Sequence, residues 1–440
     1  MRLVGEWRRG LANISHFCDP DRNRPSGVSM NRPLPHRAGV YMAILQFVFT
    51  LGWTTYAIYL PQLVTAVGLP RSAVLWILML DQAVFTATDF AMGVAADKVA
   101  RVVGRLGTMV AAIAVVSGAA FIALPMIARG GEGLAAVFLI MTIVWTVTSS
   151  ALRAPPLMLL GKYAARPAIP YLASLTLVGY GIAGALAPYL ATALRELDPR
   201  FPFIIASLAV TATALALSRV ERSLAASAAE ADAIPSPEPV RNQRTLASVA
   251  LFGGALLLLA LGFQIHTAVN SSPLYLRFAT PRDLDLLMPI FWVGFNVAMF
   301  PVSLLTKRMG GFRVMGGGAL VGAAALMMAE LAGNLGFLAV AQLIAGAAWG
   351  ALLMSAFAAA IALGSTGAEG RVLGLLFSTL ALATLARFAV VASGLAGDPV
   401  LKMVLNWLPA ALWASGGGLL IAAVLTAWFR SAGRADDKAA

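Results

Sequence analysis

Six ionisable side chains stand inside otherwise apolar stretches of this 440-residue chain: Asp81, Asp89, Arg153, His266, Glu330 and Arg387. An ionisable group surrounded by hydrocarbon costs roughly 2.5 kcal/mol or more, so it persists where it pairs, exchanges a proton or holds a charged ligand. No residue pattern points to covalent chemistry. The chain has no Gly-rich phosphate loop of the Walker type, no His-Glu-x-x-His and no Gly-x-Ser-x-Gly. Its one cysteine, Cys18, excludes an intramolecular disulfide, and His16, His36 and His266 make no metal-ligand spacing. Neither an enzyme nor a cofactor is expected. What these residues offer is charge pairing, proton exchange and non-covalent binding.

The polar residues near the six fall on helix faces. Thr142, Trp145, Thr146, Ser149 and Arg153 recur at three- and four-residue steps, which places them along one side of a helix. A single polar stripe on an apolar helix suits the wall of a cavity. Asp89 lies at a similar depth to Arg153, so the two are expected to pair, either as a fixed tie or as a proton-exchanging couple. A second set comprises Gln46, Thr50, Trp53, Thr54 and Tyr56, and a third comprises Gln264, His266, Thr267 and Asn270. These groups either orient a ligand or hydrogen-bond between helices. His266 and Glu330 lie towards the ends of their runs and read as interfacial.

Composition dictates what must position these groups. The chain is 60% hydrophobic and 12% charged, with a mean hydropathy of +0.82, against about 25% charged in soluble domains. A soluble fold would lack the polar surface to cover itself. Runs of about 20 apolar residues, the length that spans a bilayer, occur at 40–66, 72–95, 106–127, 134–160, 168–194 and 201–218. Six more occur at 246–271, 284–305, 313–332, 335–363, 372–396 and 401–429. The expected organisation is a disordered cytoplasmic tail (1–37), six spans (38–218), a linker (219–245), six spans (246–430) and a short cytoplasmic tail (431–440). The linker reading rests on its charges and on Pro235-Ser-Pro-Glu-Pro239. Met30 is an alternative start to Met1.

The net charge of +12 would suit nucleic acid, but the cations sit in short turns between apolar runs. With the N-terminus inside, inner segments carry 23 Lys and Arg and outer ones 7. That bias places both termini in the cytoplasm and the chain in a bacterial inner membrane. Membrane lipid is thus the expected surrounding, with no nucleic-acid partner.

Two basic turns carry the most specific pattern. After span 2 the chain reads Gly93-Val-Ala-Ala-Asp97-Lys98-Val-Ala-Arg101-Val-Val-Gly-Arg105, with three cations and one acid. After span 8 it reads Ser303-Leu-Leu-Thr-Lys307-Arg308-Met-Gly-Gly-Phe-Arg313. The second copy keeps cations and loses the acid. The Gly-x-x-x-Asp-Lys-x-x-Arg pattern resembles the loop between helices 2 and 3 of major facilitator superfamily transporters. The repeated turn, the six-plus-six count and the central linker extend that resemblance over nearly the whole chain.

The resemblance implies an all-α membrane protein of twelve transmembrane helices in two pseudo-symmetric six-helix bundles. It implies secondary transport of a small molecule by alternating access around a midplane site, in a protein expected to be monomeric. Spans 1, 4, 7 and 10 would line the cavity, which makes Gln46, Thr50, Trp53, Trp145, Gln264, Asn270, Gln342 and Trp349 candidate substrate residues. Gly93, Asp97, Lys98, Arg101, Lys307 and Arg308 would form a conformational latch. Spans 2 and 11 would meet, bringing Asp81 and Arg387 to similar depths. Arg387 then either holds an anionic substrate, with Asp81 its partner in the empty site, or forms a fixed bridge with Asp81. A small carboxylate driven by the proton gradient is the expected cargo, with Asp81, or Asp89 beside Arg153, carrying the proton. Efflux of amphipathic compounds and a non-transporting receptor or assembly factor are the alternatives.

Overall fold

The computed structural model describes residues 36–164, 168–232, 246–364, 367–394 and 398–439. Among them the regular structure is helical throughout, without a strand. Twelve helices are long and apolar enough to cross a membrane. Spans 1 to 6 are His36–Ala66, Ala73–Val99, Arg105–Arg129, Ala135–Tyr163, Ile169–Ala193 and Arg200–Ala228. Spans 7 to 12 are Ala247–Tyr275, Pro281–Met309, Gly311–Glu330, Leu335–Gly364, Glu369–Ala392 and Pro399–Thr426. In hydrocarbon every main-chain polar group needs a partner within the segment, and the helix supplies it. The apolar runs therefore became helices close to the expected limits.

The packing is two-fold. In the first half span 1 packs on spans 5 and 6, and span 3 on spans 4 and 6. In the second half span 7 packs on spans 11 and 12, and span 9 on spans 10 and 12. Advancing every number by six converts the first set into the second. The main contacts between halves, span 2 on span 11 and span 5 on span 8, exchange under the same shift. This is the arrangement of two pseudo-symmetric six-helix bundles.

Several local readings are corrected. The first basic loop is shorter than expected, because span 2 stays helical to Val99. Nothing between Gly93 and Val99 breaks a helix, so Gly93, Asp97 and Lys98 sit on its last turns. The chain turns only at Gly104, whose φ of 83° is readily reached by glycine. Span 8 likewise stays helical to Met309, with Lys307 and Arg308 in its last turn, and reverses at Gly310 (φ 85°). The polar segment after residue 218 begins as a helix, Leu217–Asp232; its Pro-rich part lies outside the described residues, as does the N-terminal tail up to residue 35.

Two spans are interrupted. Span 4 is α-helical over Ala135–Ser149, tightens to a 3₁₀ turn at Ser150–Leu152, and resumes at Ala154–Tyr163. Arg153 sits at the break (φ −94°, ψ −80°). Pro155 and Pro156 follow it; proline has no N–H and disfavours helix in the residue before it. Span 7 widens to a π turn at His266–Asn270.

Candidate functional site

The halves close on one another at the end that carries the basic turns. There the seam between spans 2 and 11 is main chain against main chain. A Cβ added at Gly93 would overlap the Gly370 carbonyl, 2.8 Å from its carbon, and lie 3.1 Å from Gly374 Cα. One added at Gly374 would lie 2.7 Å from the Asp89 carbonyl oxygen. Glycine on both sides lets the two backbones touch. Asp97 secures the same seam. Its Oδ1 accepts from Gly370 N–H (2.7 Å) and its Oδ2 from Arg371 N–H (3.1 Å) and Nε–H (3.3 Å). A carboxylate on the first N–H groups of span 11 satisfies orphan donors and meets the positive end of the helix dipole. Lys98, Arg101, Lys307 and Arg308 are exposed and enter no ion pair among the described residues.

One turn deeper, span 2 meets span 4. Asp89 is fully buried, and Arg153 Nη1 lies 2.7 Å from its Oδ2. The contact is an ion pair rather than an aligned hydrogen bond, since neither Asp89 oxygen has a donor in line. The guanidinium also lies over Phe85 of span 2 (4.6 Å) and Phe377 of span 11 (5.0 Å). The break in span 4 frees Arg153 to reach Asp89 and an aromatic ring of the other half at once.

Asp81 has different partners. It is 1% exposed and accepts from Tyr56 Oη (2.8 Å) and Thr146 Oγ1 (2.7 Å). The expected pair with Arg387 does not form: Asp81 is satisfied within its own half. Arg387 lies towards the Ala392 end of span 11, half-buried, with its guanidinium over the Phe388 ring (4.1 Å) and its Nε buried without an acceptor. It enters no ion pair among the described residues. One turn away on the same face, Thr384 accepts from Gln264 Nε2 of span 7 (2.8 Å).

The proposed cavity residues separate into two groups. Gln46, Thr50, Trp53 and Gln264 are half-buried. Trp145, Asn270, Gln342 and Trp349 are buried. Trp145 stacks on Phe121 (4.9 Å) and Trp349 on Phe263 (4.1 Å). Asn270 donates to the Leu405 carbonyl of span 12 (2.9 Å), and Gln342 Oε1 lies 2.9 Å from His266 Nε2. These four hold each half together internally. His266 is buried rather than interfacial, while Glu330 pairs with Arg277, at the end opposite the basic turns, at 3.0 Å.

No protein-family model matches the chain, and no curated protein matches its sequence. Solved structures do share its fold. The human organic anion transporter MFSD10 (TETRAN) superposes with a TM-score of 0.65 at 14% identity, covering 89% of this chain and 99% of that one. A bacterial homologue of the iron transporter ferroportin, in its outward-facing state, gives 0.66 at 14% identity, over 88% and 99%. FucP, a major facilitator superfamily transporter in its outward conformation, gives 0.56 at 13% identity, over 88% and 98%. The chain has the major facilitator fold.

In this major facilitator fold the end opposite the basic seam holds a pocket of about 540 Å³. Span 1 lines it with Tyr59, Gln62 and Thr65, and Arg71 and Arg195 stand at its edge. Both arginines are exposed and without an ion pair among the described residues. Among the described residues no group of three or more His, Cys, Asp or Glu is placed to hold a metal ion. The chemistry on offer is a lone intramembrane guanidinium, two separated carboxylates, and a seal at one end.

Sequence reasoning missed the other side of that seal. Gly370-Arg-Val-Leu-Gly374 spaces two glycines four apart at the start of span 11, a pattern that permits close helix approach. Phe377, Thr384 and Arg371 carried no comparable signal, because their roles depend on which helix face meets the other half.

Proposed function

We propose that the chain is a secondary active transporter of a small organic anion, such as a carboxylate, working by alternating access and driven by protons. The observation that carries this reading is Arg387: a half-buried guanidinium within span 11, with a buried Nε that has no acceptor among the described residues. An unpaired cation in hydrocarbon is costly, and a carboxylate ligand supplies the counter-charge and matches its fork of donors. Arg71 and Arg195 at the opposite mouth favour the approach of the same charge. The description of MFSD10 as an organic anion transporter and of FucP as a fucose:proton symporter agree with the cargo and the driving ion respectively.

In this reading the halves rock about the midplane. The seam of Gly93, Gly370, Gly374 and Asp97 is the inner gate, and the basic end faces the cytoplasm of a bacterium. Asp89 with Arg153 ties span 4 to span 2 just inside that gate.

The test compares wild type with Arg387→Ala. Purified protein is screened for thermal stabilisation by a panel of small carboxylates and, as a contrast, lipophilic cations; a binder raises Tm by mass action. The expected result is a carboxylate that stabilises wild type and not the variant, with both melting alike when ligand-free because Arg387 has no ion partner among the described residues to lose. Stabilisation by lipophilic cations alone would reverse the charge assignment, and no flux of any screened solute into vesicles would remove the transport reading.

A further inference from the structure

Span 2 buries two carboxylates eight residues apart, about 12 Å along the helix. Their surroundings differ in kind. Asp89 faces Arg153 at 2.7 Å. Asp81 enters no ion pair among the described residues, and its partners are two neutral hydroxyls. Paired carboxyl groups whose environments diverge in this way take different protonation states.

The hydrogen-bond inventory around Asp81 supplies a second, independent point. Thr146 Oγ1 lies 2.7 Å from Asp81 Oδ1 and 2.9 Å from the Thr142 carbonyl oxygen. A hydroxyl owns one hydrogen. If Asp81 is ionised, Thr146 donates to Oδ1. If Asp81 is a neutral acid, Oδ1–H donates to Thr146 Oγ1 and Thr146 turns its hydrogen to the Thr142 carbonyl. Tyr56 donates to Oδ2 in both cases. Rotation of one hydroxyl therefore accommodates either state without moving a heavy atom. The neutral state places no uncompensated charge in a dry interior, so it is the favoured one here.

We propose that Asp81 is a proton-binding site, occupied in the conformation closed at the basic end, with the Thr146 hydroxyl as its switch. The other titratable groups on the packed elements do not compete for it. Tyr56 on span 1 is its donor, and Arg153 on span 4 is committed to Asp89. Span 11 brings Arg387, which forms no ion pair among the described residues, and Glu369 and Arg371 at its basic end, while Asp97 and Lys98 lie at that end of span 2. Span 3 brings Arg105 and Arg129 at its two ends.

Aromatic rings surround the carboxyl's donor: Tyr56 packs against Trp145 (4.5 Å) and Trp53 (5.4 Å), and Trp53 is half-buried. A cavity of about 30 Å³ beside Trp53, Trp145 and Ser149 has room for a water molecule. On release the Oδ1–H bond breaks, the electron pair stays on the carboxylate, and the proton passes to water entering as the halves part. That this proton drives flux rests on the transport reading above; that Asp81 carries it does not.

Difference infrared spectra of the purified protein in lipid vesicles, stepped between about pH 9 and about pH 6, test the proposal directly. A protonated-carboxyl C=O band is expected at neutral pH in wild type, absent in Asp81→Asn and retained in Asp89→Asn. Thr146→Val, which removes the acceptor, is expected to shift the band. An unchanged band in Asp81→Asn overturns the proposal. Should that variant fail to fold, an unshifted band in Thr146→Val does the same. A band that disappears with Asp81→Asn, in a protein that moves no solute, would leave the proton site standing and remove only the transport reading.

Discussion

The seam between spans 2 and 11 makes Gly93→Ala the sharpest structural test. A methyl group there must sit 2.8 Å from the Gly370 carbonyl carbon, where ordinary contact begins at 3.4 Å. The obstructing atoms are main chain, and Gly374 Cα closes the other side at 3.1 Å. No rotamer change relieves the overlap, so the helices must part by more than half an ångström. Overpacking of this kind costs about 1–3 kcal/mol. The cost falls on the closed basic end and not on a state in which spans 2 and 11 have separated. The equilibrium should therefore move towards opening by roughly 5- to 150-fold. The assay is double electron–electron resonance between spin labels at the exposed positions of Lys98 and Arg308, one in each half, after Cys18→Ser. The expected result is a longer-distance population that grows in Gly93→Ala. A distance distribution and a Tm both identical to those of the unsubstituted parent would refute the argument that this glycine sets the closure.

Two further outcomes concern charged pairs. Asp89→Asn strands the Arg153 guanidinium without a counter-charge, and should lower stability by about 3–5 kcal/mol. Adding Arg153→Gln should restore much of that loss in thermal unfolding. An Asp89→Asn protein as stable as wild type would show the pair to be dispensable. In the turn between spans 5 and 6, the hydrogen bonds and charge of Arg200 hold the Asp198 carboxyl at a pKa of about 2, below its usual 3.8. A depressed carboxyl stabilises the fold above its unfolded pKa and loses that contribution as pH falls from about 4 to about 2. Asp198→Asn should therefore separate from wild type in melting curves at neutral pH and converge with it in acid, and a constant gap down to pH 2 would contradict the assignment.

The spans were legible because hydrocarbon enforces one solution on a long apolar run, and their limits shifted mostly by a turn or less. The Asp89–Arg153 pair was legible for a related reason: two lone charges near the same end of neighbouring spans have few other partners. Asp81 and Arg387 show where such reasoning stops. Depth along each helix was readable, but the angle around its axis was not, and Asp81 turns to Tyr56 and Thr146 inside its own bundle. The polar stripe of span 4 likewise turns into its own half. Thr142 and Thr146 are buried hydrogen-bonding groups within the first half, and Trp145 is one layer of an aromatic stack. Sequence marks which side chains need a partner; the packing decides which partner they find.

The break in span 4 also bears on how the chain enters the membrane. Span 2 carries both buried aspartates and has a mean hydropathy of 1.4, against 2.4 for span 3. Asp89 is synthesised well before Arg153, and each charge alone disfavours insertion by about 2.5–3.5 kcal/mol at mid-helix. Span 2 therefore gains its ionic partner only once span 4 has emerged, and that partner stands at the break in span 4, just before a pair of prolines. The first four spans thus have reason to be released into lipid as a group, with Arg153 neutralised by Asp89 at the moment of assembly. Biogenesis, on this view, depends on the same two residues that brace the closed gate.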